Sequence, residues 1–228
     1  MKIRFIKPSY EIDMLGQTGI EKLKTIESCS RTCYKSEEKT TDDSYNYMIK
    51  MLVKNKHEAM LEFVDFRVKL ICSRAFSHEI VRMRLSSFAQ ESQRYVGYGD
   101  AIEFIIPSWT NIPEFSFELD NDFCTVPFTI KKLTGYEATE AEESWVFGCT
   151  ASSDRYNELL SLGWRPEQAR DVLPNACKTE INIKTNLREW RHIFKLRTHP
   201  TAAPQMRELM IPLLAEMKQL IPIVFDDI

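Results

Sequence analysis

Residues 82–94 read Arg82-Met83-Arg84-Leu85-Ser86-Ser87-Phe88-Ala89-Gln90-Glu91-Ser92-Gln93-Arg94, which sets three guanidinium groups among hydroxyl and amide side chains. A guanidinium keeps its proton near neutrality and offers a planar fork of donors that fits phosphate oxygens, so the cluster suits an anion and points to a nucleotide. Two further polar groupings are hard to explain by packing: His57 to Glu62, and Arg170 with Asn186, Arg188, His192 and Arg197. Any one of these arginines alone is accounted for by a helix dipole or by solvent. His57 and Glu62 have the types for acid and base work, and equally for a helix cap and a strand-edge ion pair. The chain has no glycine-rich dinucleotide fingerprint, no phosphate loop and no His-Glu-x-x-His helix. With 7 glycines in all, a phosphate site has to be built from side chains. Six cysteines (Cys29, Cys33, Cys72, Cys124, Cys149 and Cys177) form no Cys-x-x-Cys pair, and no histidine is spaced to complete a zinc site, so reduced and mostly buried thiols are expected and no metal.

The scaffold for these groups is bounded by the composition. A chain of 228 residues buries a substantial core without metals or disulfides and is read as a single domain, 1–228. A net charge of −3 gives no overall cationic field, so no nucleic acid is expected as a partner and a phosphate site must be local. The opening Met1-Lys2-Ile3-Arg4-Phe5-Ile6-Lys7-Pro8 lacks the apolar run and small-residue cleavage site of a signal peptide. No apolar stretch approaches the roughly 20 residues that cross a bilayer. These features imply a soluble protein without a membrane partner, located in the cytoplasm, the host's if the chain is viral.

Periodicity sets the expected elements. Lys2 to Ile6 alternates as a strand ended by Pro8. A helix from Gly19 is expected to bury Ile20, Leu23, Ile26, Cys29 and Cys33, and a second starts near Thr41 or Asp42 ahead of Tyr45, Met48, Met51 and Leu52. Glu62 to Ile71 alternates Val64, Phe66, Val68 and Leu70 with polar residues, the period of a half-buried strand. Ser73 caps a helix to about Ser86 with Phe76, Ile80, Val81 and Met83 inward, which puts the arginine cluster at its end. Ala101 to Ile106 reads as a strand, and 108–135 as a surface insertion with some local structure. A long helix occupies Glu137 to Leu162, ended by Gly163, and Pro166 opens a short one to Val172. Lys178 to Thr185 alternates as a strand, Asn186 caps a helix through about Lys195, and Ala203 to Leu220 is the last helix.

Arg82-Met83-Arg84 followed by seven residues and Ser92 resembles the Arg-His-Arg-x7-Ser signature of the flavin-dependent thymidylate synthases. Arg74-Ala75-Phe76-Ser77-His78-Glu79, Glu91-Ser92-Gln93-Arg94-Tyr95 and His57 with Glu62 are similar to flanking segments of that family. Ala169-Arg170-Asp171-Val172-Leu173-Pro174, Asn186-Leu187-Arg188 and Leu196-Arg197 resemble its second conserved block. The resemblance implies an α+β fold of mixed helices with a mainly antiparallel sheet. It also implies a homotetramer with active sites at subunit interfaces and FAD as cofactor. The implied reaction methylates dUMP to dTMP with methylenetetrahydrofolate and NADPH as co-substrates.

By that resemblance Glu79, Arg82, Gln90, Ser92, Arg94, Arg170 and Arg197 hold the substrate, a pyrimidine deoxynucleotide monophosphate. Ala59, Arg82, Met83, Arg84, Gln90, Asn186, Arg188 and His192 contact the flavin. Arg197 is the catalytic group, a fixed cation that favours the ionised pyrimidine ring. Met83 stands for a histidine, Glu79 for a glutamine, Ala89 and Gln90 for Asn and Glu, and His192 for an asparagine. Arg82, expected one helical turn from Glu79, offsets that carboxylate, and Met83 offers a polarisable sulfur to the flavin ring. Two other readings stay open: methylation or hydroxymethylation of another pyrimidine nucleotide (dCMP or UMP), and a noncatalytic nucleotide or RNA binder.

Overall fold

The computed structural model describes residues 2–95, 97–98, 101–118 and 130–228, and its α+β chain divides into two compact units. Unit 1 comprises residues 1–9, 71–80 and 90–181, and unit 2 comprises 10–70, 81–89 and 182–228.

Unit 1 is organised by strand β1 (Lys2–Ile6), which pairs in parallel with β5 (Ala101–Ile105) and antiparallel with β6 (Phe115–Glu118). The register sets Phe5 beside Phe104 on one side and Phe115 on the other. The Phe5 ring stacks on Phe115 at 4.6 Å and meets Trp145 edge-on at 5.6 Å, spacings at which aromatic pairs attract. Trp145 lies on α5 (Glu140–Ser161), whose start is fixed by a reciprocal cap. Thr139 Oγ1 accepts from the Glu142 N–H at 3.3 Å and Glu142 accepts from the Thr139 N–H at 2.9 Å. The helix stops where Gly163 takes φ of 91°, the left-handed region that glycine favours. Val146, Cys149 and Tyr156 of α5 share one core with Ile3, Phe5 and Phe104. Within 108–135, Ile112 and Ile130 are fully buried and β6 joins the sheet, while α4 (Ile130–Thr134) follows. Residues 119–129, Cys124 among them, lie outside the described residues.

Unit 2 carries most of a second sheet, ordered β2 (Ser9–Asp13), β3 (Asp65–Ser73), β7 (Lys178–Asn186), β4 (Ser87–Gln90). Its helices are α1 (Gly19–Thr32), α2 (Tyr45–Lys54), α7 (Leu187–Arg197) and α8 (Pro204–Leu220), with a 3-10 turn at Glu58–Phe63. Phe66 of β3 stacks on Trp190 of α7 at 4.6 Å, Trp190 on Phe194 at 5.5 Å, and Phe194 meets Phe225 edge-on at 5.4 Å. The Trp190 indole N–H donates to the Phe66 carbonyl at 3.4 Å, so the ladder buries no unmet donor there.

Three sequence expectations are corrected. The helix after Ser73 is α3 (Arg74–Ile80) and ends six residues before Ser86. Ser73 Oγ does cap it, accepting from the Phe76 N–H at 3.1 Å. The chain then turns, Thr185 Oγ1 donates to the Leu85 carbonyl at 2.7 Å, and Ser87 starts β4, so a tertiary bond outweighs helix propensity. Val81 is consequently exposed, and Arg82 does not sit one helical turn from Glu79. In α1, Ile20 and Cys33 are exposed while Lys22, Glu27 and Arg31 are buried. Buried charge needs partners: Lys22 Nζ donates to the Asp65 carbonyl at 2.7 Å, and Arg31 Nη2 meets Glu27 at 2.6 Å. The short strands β2, β4 and β6 were not anticipated. No helix among the described residues is long and apolar enough to cross a membrane.

Gly19 opens α1 where a Cβ would lie 1.7 Å from the carbonyl oxygen of Leu220. Gly19→Ala is expected to cost about 3 kcal/mol in urea denaturation, because backbone on both sides must shift. A loss below about 0.5 kcal/mol would show that the approach of α1 to α8 is not tight.

Candidate functional site

Helix α7 places functional groups on its exposed face because Asn186 starts it cleanly: the Asn186 side chain accepts from the Glu189 N–H at 2.9 Å. From that start Arg188, His192 and Lys195 recur at helical spacing on one face. With Asn186, Glu189, Glu58, Glu62 and Leu85 they line a cavity of about 590 Å³ in unit 2, a size that suits a cofactor or nucleotide. The cavity mixes signs. Arg188 Nη1 bonds Glu62 Oε1 at 2.5 Å, an ion pair made from the 3-10 turn and not from a strand edge. Burial pushes the Glu189 carboxyl up, against the pull of His192 and Arg188. Cationic Arg188 and Lys195 with the imidazole of His192 form a donor set for an anionic ligand such as a pyrophosphate.

Parts of both sequence blocks, residues 82–85 and 186–197, meet in this unit. Arg197 Nη2 lies 3.7 Å from the Met83 sulfur, and Met83 is buried at 6% exposure. Leu85, between the signature arginines and Ser92, borders the same cavity as Asn186, Arg188 and His192. Arg82 and Arg84 flank Met83 on the turn and are exposed, as is Ala59, next to Glu58 on the 3-10 turn. His57 precedes that turn without capping it by its side chain.

In unit 1, Arg170 lines a polar cavity of about 300 Å³ with Arg74, His78, Gln93, Asp171 and Asn175. Arg74 is oriented by the Glu91 carbonyl and Thr179 Oγ1, each at 3.4 Å. Glu79, Gln90, Ser92 and Arg94 are not among the residues that line it. Gln90 Nε2 is instead held by Ser77 Oγ at 2.8 Å and Thr179 Oγ1 at 3.2 Å. Ser92 Oγ accepts from the Arg94 N–H at 3.2 Å, and the Arg94 guanidinium lies 5.3 Å from the Tyr95 ring centre and 3.7 Å from Glu167. Glu79 is exposed on α3.

Several groups escaped sequence reading. Lys195 was legible as the next residue on the Arg188–His192 face. Arg191 was legible in another way, since a charge inside the apolar stripe Trp190, Ile193, Phe194 must have a buried partner. It is 1% exposed, and its five N–H groups are all engaged. Nε donates to Glu58 Oε1 at 3.1 Å, Nη1 and Nη2 grip Asp227 at 2.6 and 2.8 Å, Nη1 also bonds the Val224 carbonyl, and Nη2 lies 3.0 Å from Glu58. The hydrogen bonds from Arg191 hold the Asp227 carboxyl below its usual range.

An α+β chain with a polar cavity of about 590 Å³ is compatible with a protein that handles a nucleotide or cofactor. The chain matches the family model Thy1, described as thymidylate synthase complementing protein, over residues 15–223, and it belongs to that family. It is 30% identical over 206 residues to the flavin-dependent thymidylate synthase of Geobacter sulfurreducens, covering 87% of this chain and 78% of the relative. Against the Pyrococcus abyssi protein of the same name it is 31% identical over 193 residues, 83% of this chain and 70% of the relative. Against that of Mycobacterium marinum it is 32% identical over 209 residues, with 89% and 78% covered. The resemblance drawn from Arg82-Met83-Arg84 and Ser92 is therefore sound.

Because the folded Asp227 carboxyl titrates below its unfolded value, the stability it lends is present above the unfolded value of about 4 and is lost as pH falls through the folded one. Asp227→Asn is expected to lower the urea midpoint at pH 7 and to differ little from the native chain at pH 2. A deficit of equal size at both pH values would assign it to packing instead.

Proposed function

We propose that this protein is a flavin-dependent thymidylate synthase that converts dUMP to dTMP, taking carbon from methylenetetrahydrofolate and electrons from NADPH, with FAD as its cofactor in the cytoplasm. One observation carries the reading: within unit 2 the Arg-Met-Arg segment and the 186–197 part of the second block come together, where Arg197 touches the Met83 sulfur. The residues fit FAD, since the cavity offers Arg188, His192 and Lys195 to an anion and is large enough for a substantial part of the cofactor. Asn186, Arg188 and His192, with Ala59, Arg82, Met83, Arg84 and Gln90, are assigned to hold it. When bound and reduced, the flavin supplies hydride.

The chain's own groups bind and polarise. Arg170, with Glu79, Arg82, Gln90, Ser92 and Arg94, is assigned to the nucleotide's phosphate and sugar, where guanidinium forks match phosphate oxygens. Arg197 keeps a fixed cation beside the pyrimidine and favours its ionised form, lowering the cost of charge that develops in the ring. The proposed chemistry requires no cysteine nucleophile, which agrees with burial that pushes the Cys72 and Cys177 thiols up to about 12 and raises Cys149 as well. Assembly as a homotetramer with active sites at subunit interfaces is part of the same proposal, tested by the mass of the native assembly in solution.

Purified protein is expected to be yellow, or to turn yellow on adding FAD, to bleach with NADPH, and, when methylenetetrahydrofolate is present, to raise the mass of dUMP by one CH2 unit as a methyl group replaces a ring hydrogen. Parallel assays with UMP and dCMP test the other pyrimidine readings by product mass. Arg197→Ala is expected to keep the flavin spectrum and to lose about 10²–10³ in kcat. A colourless protein that ignores added FAD overturns the proposal.

A further inference from the structure

The buried Arg191 clamp reaches the rim of the cavity assigned to FAD. Glu58, one of the cavity's lining residues, is bonded to Arg191 through Nε at 3.1 Å, and Lys195 of the same lining lies 4.0 Å from Glu58 and 3.9 Å from Asp227. Glu58 also starts the 3-10 turn that carries Ala59 and Glu62. One guanidinium thus ties three pieces of unit 2: α7, whose outer face lines the cavity, the turn that supplies two of its carboxylates, and segment 221–228 through Val224 and Asp227. Arg191 itself does not line the cavity.

The order of support runs inward. Asp227 takes one N–H from each terminal nitrogen of Arg191, a bidentate grip that sets the plane of the guanidinium. That plane fixes the Nε donor aimed at Glu58, and Glu58 in turn sets where the turn's side chains stand. We propose that Arg191 and Asp227 are positioning residues for the flavin, holding Glu58 and the turn 58–63 in the geometry that accepts the cofactor. This inference rests on the reading of the cavity as a flavin site.

Charge and geometry make opposite demands on a test at Asp227, which is what makes it informative. Removing a carboxylate close to Lys195 brings a cation nearer to full availability for an anionic ligand, so a purely electrostatic effect tightens FAD binding, weakly because the group is 45% exposed and screened by salt. Loss of the grip on Arg191 weakens it.

The full-length apoprotein is titrated with FAD, read by quenching of flavin fluorescence, at a temperature where circular dichroism shows native and variant chains folded. Asp227→Asn is expected to raise the Kd about tenfold, the scale of one charge-assisted hydrogen bond. Asp227→Glu, which keeps the carboxylate, retains most of the affinity. Asp227→Ser serves as the second variant if Asp227→Asn does not fold. An unchanged or tighter Kd in the folded variant overturns the positioning role while leaving the flavin reading intact. A native chain that binds no FAD in the same titration removes both.

Discussion

A guanidinium set into a core of aromatic rings, with every N–H engaged, dictates how unit 2 is put together. Transfer of such a charge from water is costly unless its donors are all met, and here the acceptors come from Glu58, Val224 and Asp227. Those acceptors belong to stretches far apart in sequence. In the folded unit the 58–63 turn and segment 221–228 are therefore both tied to α7. The ladder Phe66, Trp190, Phe194, Phe225 supplies apolar burial along the same helix, and the ion pairs fix its alignment.

Helix α7 consequently has two chemistries on opposite faces. Inward it offers rings and the clamp; outward it offers Arg188, His192 and Lys195 to a cavity that also holds Glu58, Glu62 and Glu189. Nearly matched charges keep that cavity from being a nonspecific anion sink. A ligand that enters must displace or share the Arg188–Glu62 pair, which is half exposed and so held only loosely by electrostatics. Discrimination by such a site comes from shape and from which pairs a ligand can replace.

The sequence was informative where a period or a cap stood alone. Alternation marked β1, β5 and β7, and Asn186 marked the start of α7, because each signal is local and the structure honours it. It was uninformative where a distant partner decides. Residues 81–86 carry helix-compatible residues, yet Thr185 binds the Leu85 carbonyl and the chain turns instead. The four residues of β6 acquire meaning only beside β1. In α1 the apolar stripe was read through Ile20 and Cys33, whereas the buried face includes the Glu27–Arg31 pair, four residues apart, and Lys22, whose partner, the Asp65 carbonyl, no local pattern reveals. The cavity lining followed the same rule: Arg188 and His192 were named from the sequence, whereas Asp227 acquires meaning only beside Arg191.

The thiols have a practical consequence. Cys72, Cys149 and Cys177 are shut inside the protein with their ionisation suppressed, so alkylating probes have Cys33, and in part Cys29, as their targets among the described residues. Cys33 closes α1 and lines neither cavity. A fluorophore or spin label attached there offers a reporter placed by the native chain itself, without engineering a new cysteine into the machinery.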